Sequence, residues 1–177
     1  MTTLAEMRLL VLDDNAQMRQ LIGTLARAGG MADIVEAASG PEALQILRTR
    51  RIDIMLVDWK MAPIDGLAFT RMIRCDSASP NPYLPIIMLT AHTEASRVAA
   101  ARDAGVSGFV RKPISTRLLF DRIASALTDR RLFIRSDSFC GPDRRRLQIP
   151  GYRGPFRRLV DGDGGGELDI DDLQWSA

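Results

Sequence analysis

Five residues carry the chemistry this sequence can perform. Asp13 and Asp14 follow the apolar run Arg8–Leu12, Asp58 follows Ile52–Val57, Thr90 follows Ile86–Leu89, and Lys112 stands just past Gly108–Arg111. Each sits where a short apolar segment ends, so if those segments are neighbouring parallel strands, all five project to one edge. Three carboxylates in a small site repel one another, and a hard divalent cation with oxygen ligands relieves the repulsion. Magnesium fits best, because its octahedral shell takes one or two carboxylates, a backbone carbonyl and waters while leaving room for phosphoryl oxygens. A lysine and a hydroxyl aimed at the same point neutralise charge as it develops on a transferring phosphoryl group. In that chemistry Asp58 is the nucleophile and forms an aspartyl phosphate. Taken alone, Asp13 and Asp14 read as turn acids capping a helix; the company of Asp58, Thr90 and Lys112 favours the metal-binding phosphoacceptor reading.

The elements that must hold these residues are legible in the apolar spacing. After Arg8–Leu12, the segment Gln17–Ala28 places Met18, Leu21, Ile22 and Leu25 at helical spacing. Ile34–Ala37 reads as a weak second strand. Ser39-Gly-Pro-Glu42 then opens a helix running to about Arg50, with a capping residue, an early proline and an acid three positions on. Ile52–Val57 is apolar on both faces, as a central parallel strand buried under helices on either side would be. Leu67–Cys75 reads as a helix, Ile86–Leu89 as a buried strand, Glu94–Ala104 as an alanine-rich, weakly amphipathic helix, Gly108–Arg111 as a short strand and Ser115–Leu127 as a final helix. Five strand–helix pairs in succession predict a parallel sheet with helices on both faces, whose sites lie at the carboxyl ends of the strands.

Composition narrows the alternatives. The 177 residues, 46% hydrophobic and 26% charged, suffice for one domain with a core plus an appendage. A net charge of +2 is not the field of a nucleic-acid coat. Cys75 and Cys140 lie far apart with no CxxC, which excludes a disulfide framework and a cysteine zinc site. The one histidine, His92, removes Ser-His-Asp hydrolases and His-rich metal sites. No apolar run approaches the ~18–20 residues of a membrane span, and acids directly follow the first apolar stretch, unlike a secretory signal. The chain reads as cytoplasmic. Lys60 and Lys112 are its only lysines.

Together LLVLDDN, LVDWKMAPIDG, IIMLTAH and GFVRKP resemble the receiver domain of bacterial two-component response regulators, across roughly residues 1–130. The resemblance implies a doubly wound α/β fold with a five-stranded parallel sheet in the flavodoxin-like order 2-1-3-4-5. It implies that Asp13, Asp14, Asp58 and the backbone carbonyl of Lys60 bind Mg2+, that Asp58 is phosphorylated, and that Thr90 and Lys112 contact the phosphoryl group. Phe109 falls at the family's aromatic switch position, where the ring turns inward as the threonine moves toward the phosphoryl group. The implied partners are a histidine kinase or histidine phosphotransferase and a downstream protein target. No enzymatic activity is implied beyond self-phosphorylation from a donor and self-dephosphorylation. The sequence departs from the family pattern in three places. Pro63 comes one position later than usual, although Gly66 is where expected; Lys60 occupies a position that influences dephosphorylation; Phe109 lacks the hydroxyl of a tyrosine.

Beyond residue 130 the periodicity fails, and little regular structure is expected. Asp129–Val160 holds nine Arg against three Asp, so residues 131–160 read as a basic tail rich in Gly, Pro and Arg. Residues 161–177 form an acidic terminus. The run DGDGGGELDIDD resembles a calcium loop, with Asp161, Asp163, Glu167, Asp169 and Asp172 as candidate ligands, but Gly165 offers no side chain and Asp172 replaces the bidentate glutamate. The arginines of FCGPDRRR, with Arg157 and Arg158, support a second class of function, a receiver controlling a nucleic-acid-associated or transcription-linked arm. No helix-turn-helix or other reader accompanies them, so nucleic acid is disfavoured and docking on protein preferred. A phosphohydrolase using Asp58 is disfavoured because Lys60 stands where such enzymes place a second acid. The expected function is a stand-alone response regulator that signals through altered protein–protein contacts.

Overall fold

The computed structural model describes residues 3–91, 95–129, 131–136 and 139–143. His92, the arginines from 144 onward and the acidic candidates Asp161, Asp163, Glu167, Asp169 and Asp172 lie outside the described residues.

Five β–α units follow one another: β1 (Arg8–Leu12), α1 (Ala16–Ala28), β2 (Asp33–Ala37), α2 (Gly40–Thr49), β3 (Ile54–Asp58), α3 (Gly66–Cys75), β4 (Ile86–Thr90), α4 (Ala95–Asp103), β5 (Gly108–Arg111) and α5 (Thr116–Leu127). The five strands form one sheet in the order β2-β1-β3-β4-β5, and every pairing is parallel. This is the order the family resemblance implied. Among the described residues no helix is long and apolar enough to cross a membrane.

Period-two alternation along the strands builds a core on each face of the sheet. Leu9, Val11, Ile54, Leu56, Ile87, Leu89 and Val110 pack with Ile22 and Ala26 of α1 and Leu119 and Ile123 of α5. Leu10, Leu12, Met55, Val57 and Ile86 face the other way, onto Ala43 and Leu47 of α2 and Phe69 and Ile73 of α3. Every residue of β3 and β4 is buried, which is why both read as unbroken apolar runs. β3 begins two residues later than its apolar run. The Asp53 carboxylate accepts the Arg8 backbone N–H at 2.9 Å, and pairing with β1 starts only at Leu9 opposite Ile54.

The starts of α1, α2, α3 and α5 are set by side-chain caps. Asn15 accepts the Gln17 and Met18 amides, Ser39 the Glu42 amide, Asp65 the Ala68 amide and Ser115 the Leu118 amide. Glu42 reaches back to the Ala38 N–H at 2.7 Å.

A hairpin follows the fifth unit. β6 (Phe133–Ser136) pairs antiparallel with β7 (Phe139–Pro142), adding two four-residue strands to a segment whose spacing had announced none. Phe139 and Cys140 are buried, and the Phe133 ring stands edge-on to Tyr83 with centroids 4.7 Å apart. β7 packs on α3 and on the turn between α4 and β5. That turn carries Gly105 at φ +86°, and a Cβ there would lie 2.7 Å from the Cys140 carbonyl oxygen, so only glycine lets the two backbones meet. Arg74, 1% exposed, joins these parts: its Nε donates to the Gly105 carbonyl at 2.8 Å and an Nη to the Pro82 carbonyl at 2.7 Å. Burial brings its guanidinium down to about 10, still cationic at neutral pH. Pro82 and Gly105 precede β4 and β5, so the hairpin sits at the amino ends of those strands.

Candidate functional site

The opposite, carboxyl-end edge brings the acidic residues together. Asp13 leaves β1 directly, with its amide donating to the Ala37 carbonyl of β2 at 3.2 Å. Its carboxylate is 1% exposed and accepts the Asn15 N–H at 2.8 Å, while Asp14 beside it is exposed. Asp58 is the last residue of β3 and is 6% exposed. One carboxylate oxygen from each of Asp13, Asp14 and Asp58 lies within 4.8 Å of the others.

Lys112 supplies the opposing charge. Its Nζ stands 2.7 Å from Asp58 Oδ1 and 3.4 Å from Asp13 Oδ2. The Lys112 amide donates to the Thr90 carbonyl at 2.8 Å, which ties the β5 exit to the end of β4. The second oxygen of Asp58 accepts the backbone N–H of Lys60 at 3.1 Å, and the Lys60 side chain is exposed. Thr90, 2% exposed, ends β4 one residue past Leu89, the partner of Asp58 across the sheet.

Burial is the first cause that raises the Asp13 carboxyl above its usual range, and repulsion from Asp58 adds to it. The Asn15 amide and the Lys112 ammonium oppose that rise. A buried acid pushed toward protonation by a second acid is a site short of positive charge. The donor set, three carboxylates beside the Lys60 main chain, suits a hard cation that prefers oxygen, such as Mg2+.

The loop after Asp58 folds back tightly. The Gly66 N–H donates to the Trp59 carbonyl at 3.0 Å, and a Cβ at Gly66 would collide with the Asp58 carbonyl oxygen. The Ala62–Pro63 and Lys112–Pro113 peptides on this edge are cis.

Two contributors carried no signal in the sequence. Arg19, on α1, donates to the Asp13 carbonyl at 2.8 Å and pairs with Glu36 at 3.2 Å, holding the β1 exit in place. Asn15 both caps α1 and donates its amide to Asp13. An arginine one helical turn past an acid pair is too common in helices to be read as a support for it.

Phe109 belongs to a separate apolar cluster. It is fully buried, opposite Met88 in the sheet, and packs with Val98 and Ala101 of α4 and with Val106, while Trp59 and Leu67 press on the same cluster.

A family model described as the response regulator receiver domain matches residues 9–124. The chemotaxis protein CheY of Pseudomonas aeruginosa is 33% identical over 117 residues, covering 66% of this chain and 93% of that protein. The chemotaxis protein CheY-3 of Vibrio cholerae is 31% identical over 117 residues, covering 66% of this chain and 88% of that protein. Among solved structures, Vibrio cholerae CheY4 is similar at a TM-score of 0.63 and 26% identity, covering 68% of this chain and 98% of that one. The receiver domain of the Francisella response regulator 1452 is similar at a TM-score of 0.60 and 27% identity, covering 68% and 95%.

Proposed function

The chain belongs to the response regulator receiver family, and on that premise we propose that Asp58 accepts a phosphoryl group from a phosphohistidine on a histidine kinase or histidine phosphotransferase. The observation that carries the reading is the setting of Asp58. One of its oxygens is held by Lys112 at 2.7 Å and the other by the Lys60 amide at 3.1 Å, beside the Asp13 and Asp14 carboxylates.

In the transfer, a carboxylate oxygen of Asp58 forms the new P–O bond as the P–N bond to the donor histidine breaks. Lys112 moves from neutralising the carboxylate to neutralising a phosphoryl oxygen, and the Thr90 hydroxyl donates to another. Asp13, Asp14, Asp58 and the Lys60 carbonyl would hold Mg2+, which when bound supplies the positive charge that offsets the acids and the incoming phosphoryl oxygens. Arg19 and Asn15 keep Asp13 aimed at this point.

Signal leaves through Thr90 and Phe109. Attraction of the Thr90 hydroxyl to the phosphoryl group vacates space at the end of β4, and the cluster of Phe109, Val98 and Ala101 repacks, altering the surface of α4 and β5 that a protein target reads. The receiver, residues 1–130, performs these steps. The segments 131–160 and 161–177 are read as a basic and an acidic extension rather than an output enzyme.

Incubating the protein with magnesium and acetyl phosphate, followed by intact-mass measurement, tests the assignment. The mass of one phosphoryl group is expected on wild type and none on Asp58→Asn. Labelling retained by the variant would overturn the reading.

A further inference from the structure

Cys75 and Cys140, so distant in sequence, meet in the fold. Cys75 is the last residue of α3 and is exposed; Cys140, in β7, is buried. α3 and β7 pack together, and the stem of Arg74 and the carbonyl of Cys140 close on the same point at Gly105, 3.1 and 2.7 Å from where its Cβ would be. Cys140 and, across the hairpin from it, Arg135 are the groups that bear on the Cys75 thiol. The Cys140 thiol has the Ser136 carbonyl 3.8 Å away. The receiver chemistry uses neither cysteine.

We propose that Cys75 and Cys140 are a redox pair, which closes to an intramolecular disulfide on meeting a low-molecular-weight disulfide and thereby staples the C-terminal hairpin to the end of α3. Exposure makes Cys75 the attacking residue and shelter makes Cys140 the resolving one. The Cys75 thiolate attacks one sulfur of the small disulfide and releases one small thiolate, which takes a proton from water. Cys140 gives its proton to water and attacks the Cys75 sulfur of the mixed disulfide, expelling the second small thiolate. Counting the proton Cys75 gave to water on becoming a thiolate and the proton the second small thiolate takes from water, the protein loses two protons and two electrons, and the small disulfide becomes two thiols. Partial desolvation at the end of α3, then the neighbouring Cys140 thiol, push the otherwise exposed Cys75 thiol upward, so closure accelerates as pH rises above neutrality.

The full chain, folded and reduced, would be exposed to oxidised glutathione and followed by intact mass and tryptic mapping without reductant. The expected result is a mass lower by two hydrogens, a linked peptide pair containing Cys75 and Cys140, and tryptic cleavage after the exposed Arg135 slowed about tenfold. Reductant reverses all three, and Cys75→Ser and Cys140→Ser abolish them. Three results would each overturn the proposal: a glutathione adduct that stops on Cys75, a dimer linked through Cys75, or closure in the urea-unfolded chain but not in the folded one.

Discussion

Lys112 stands 2.7 Å from one oxygen of Asp58 and 3.4 Å from Asp13, so a single ammonium serves two carboxylates that come from different strands. Its side chain is only 21% exposed, which keeps the interaction from being screened as a surface pair would be.

Replacing Lys112 with Met keeps the length of the side chain and removes its charge. Labelling of Asp58 by acetyl phosphate is expected to slow by about 100-fold, the usual cost of losing one preorganised charge-stabilising donor. Mass spectrometry over a time course checks it, and a rate equal to wild type would remove Lys112 from the transfer.

Asp13 makes stability depend on pH and on divalent ions. Its folded-state carboxyl is raised, chiefly by burial, so the folded chain holds this proton more tightly than the unfolded chain. The stabilisation from that proton is fully present below the unfolded carboxyl range and is lost as pH rises through the raised value. At neutral pH and without divalent ions, Asp13→Asn is therefore expected to melt at a higher temperature than wild type. Magnesium should raise the melting temperature of wild type and do little for the variant. Thermal melts at pH 4 to 8 with and without magnesium or chelator measure both effects, and identical behaviour of the two proteins would contradict them.

Arg74 is the buried tie between α3, the residues before β4 and the turn before β5. Arg74→Ala leaves the Gly105 and Pro82 carbonyls without their donor and opens a cavity, at an expected cost of about 3 kcal/mol. Arg71→Ala, one turn earlier and exposed, is expected to stay within about 0.5 kcal/mol of wild type. Urea unfolding of the two variants distinguishes a structural arginine from a surface one.

Much of the receiver was readable because its residues obey local rules. The runs IMLV and IIML are buried on both faces and so lack polar interruptions; Asp58 and Thr90 at their ends mark where the strands run out. Ser39 and Glu42 announced α2 through cap chemistry that needs no tertiary partner. The hairpin gave no such signal. Its strands are four residues long, β7 contains Gly141 and Pro142, and its burial comes from Arg74, Tyr83 and Gly105, all distant in sequence. The meeting of Cys75 and Cys140 was hidden for the same reason. Arg19 stayed invisible because one of its partners is a main-chain carbonyl, which leaves no trace in a sequence, and the other, Glu36, is a residue of the neighbouring strand β2.

The clamp at Gly105 also sets the mechanics of α4. With its carboxyl end held between Arg74 and the Cys140–Gly141 backbone, the helix has one fixed post, and its amino end points toward the Thr90 edge of the sheet. Nine residues span about 13 Å at 1.5 Å per residue. A tilt of about 10° about that post would displace the amino end by roughly 2 Å while barely disturbing the hairpin. Under such a tilt, the travel of α4 would be largest at its amino end and smallest at the end held by Gly105.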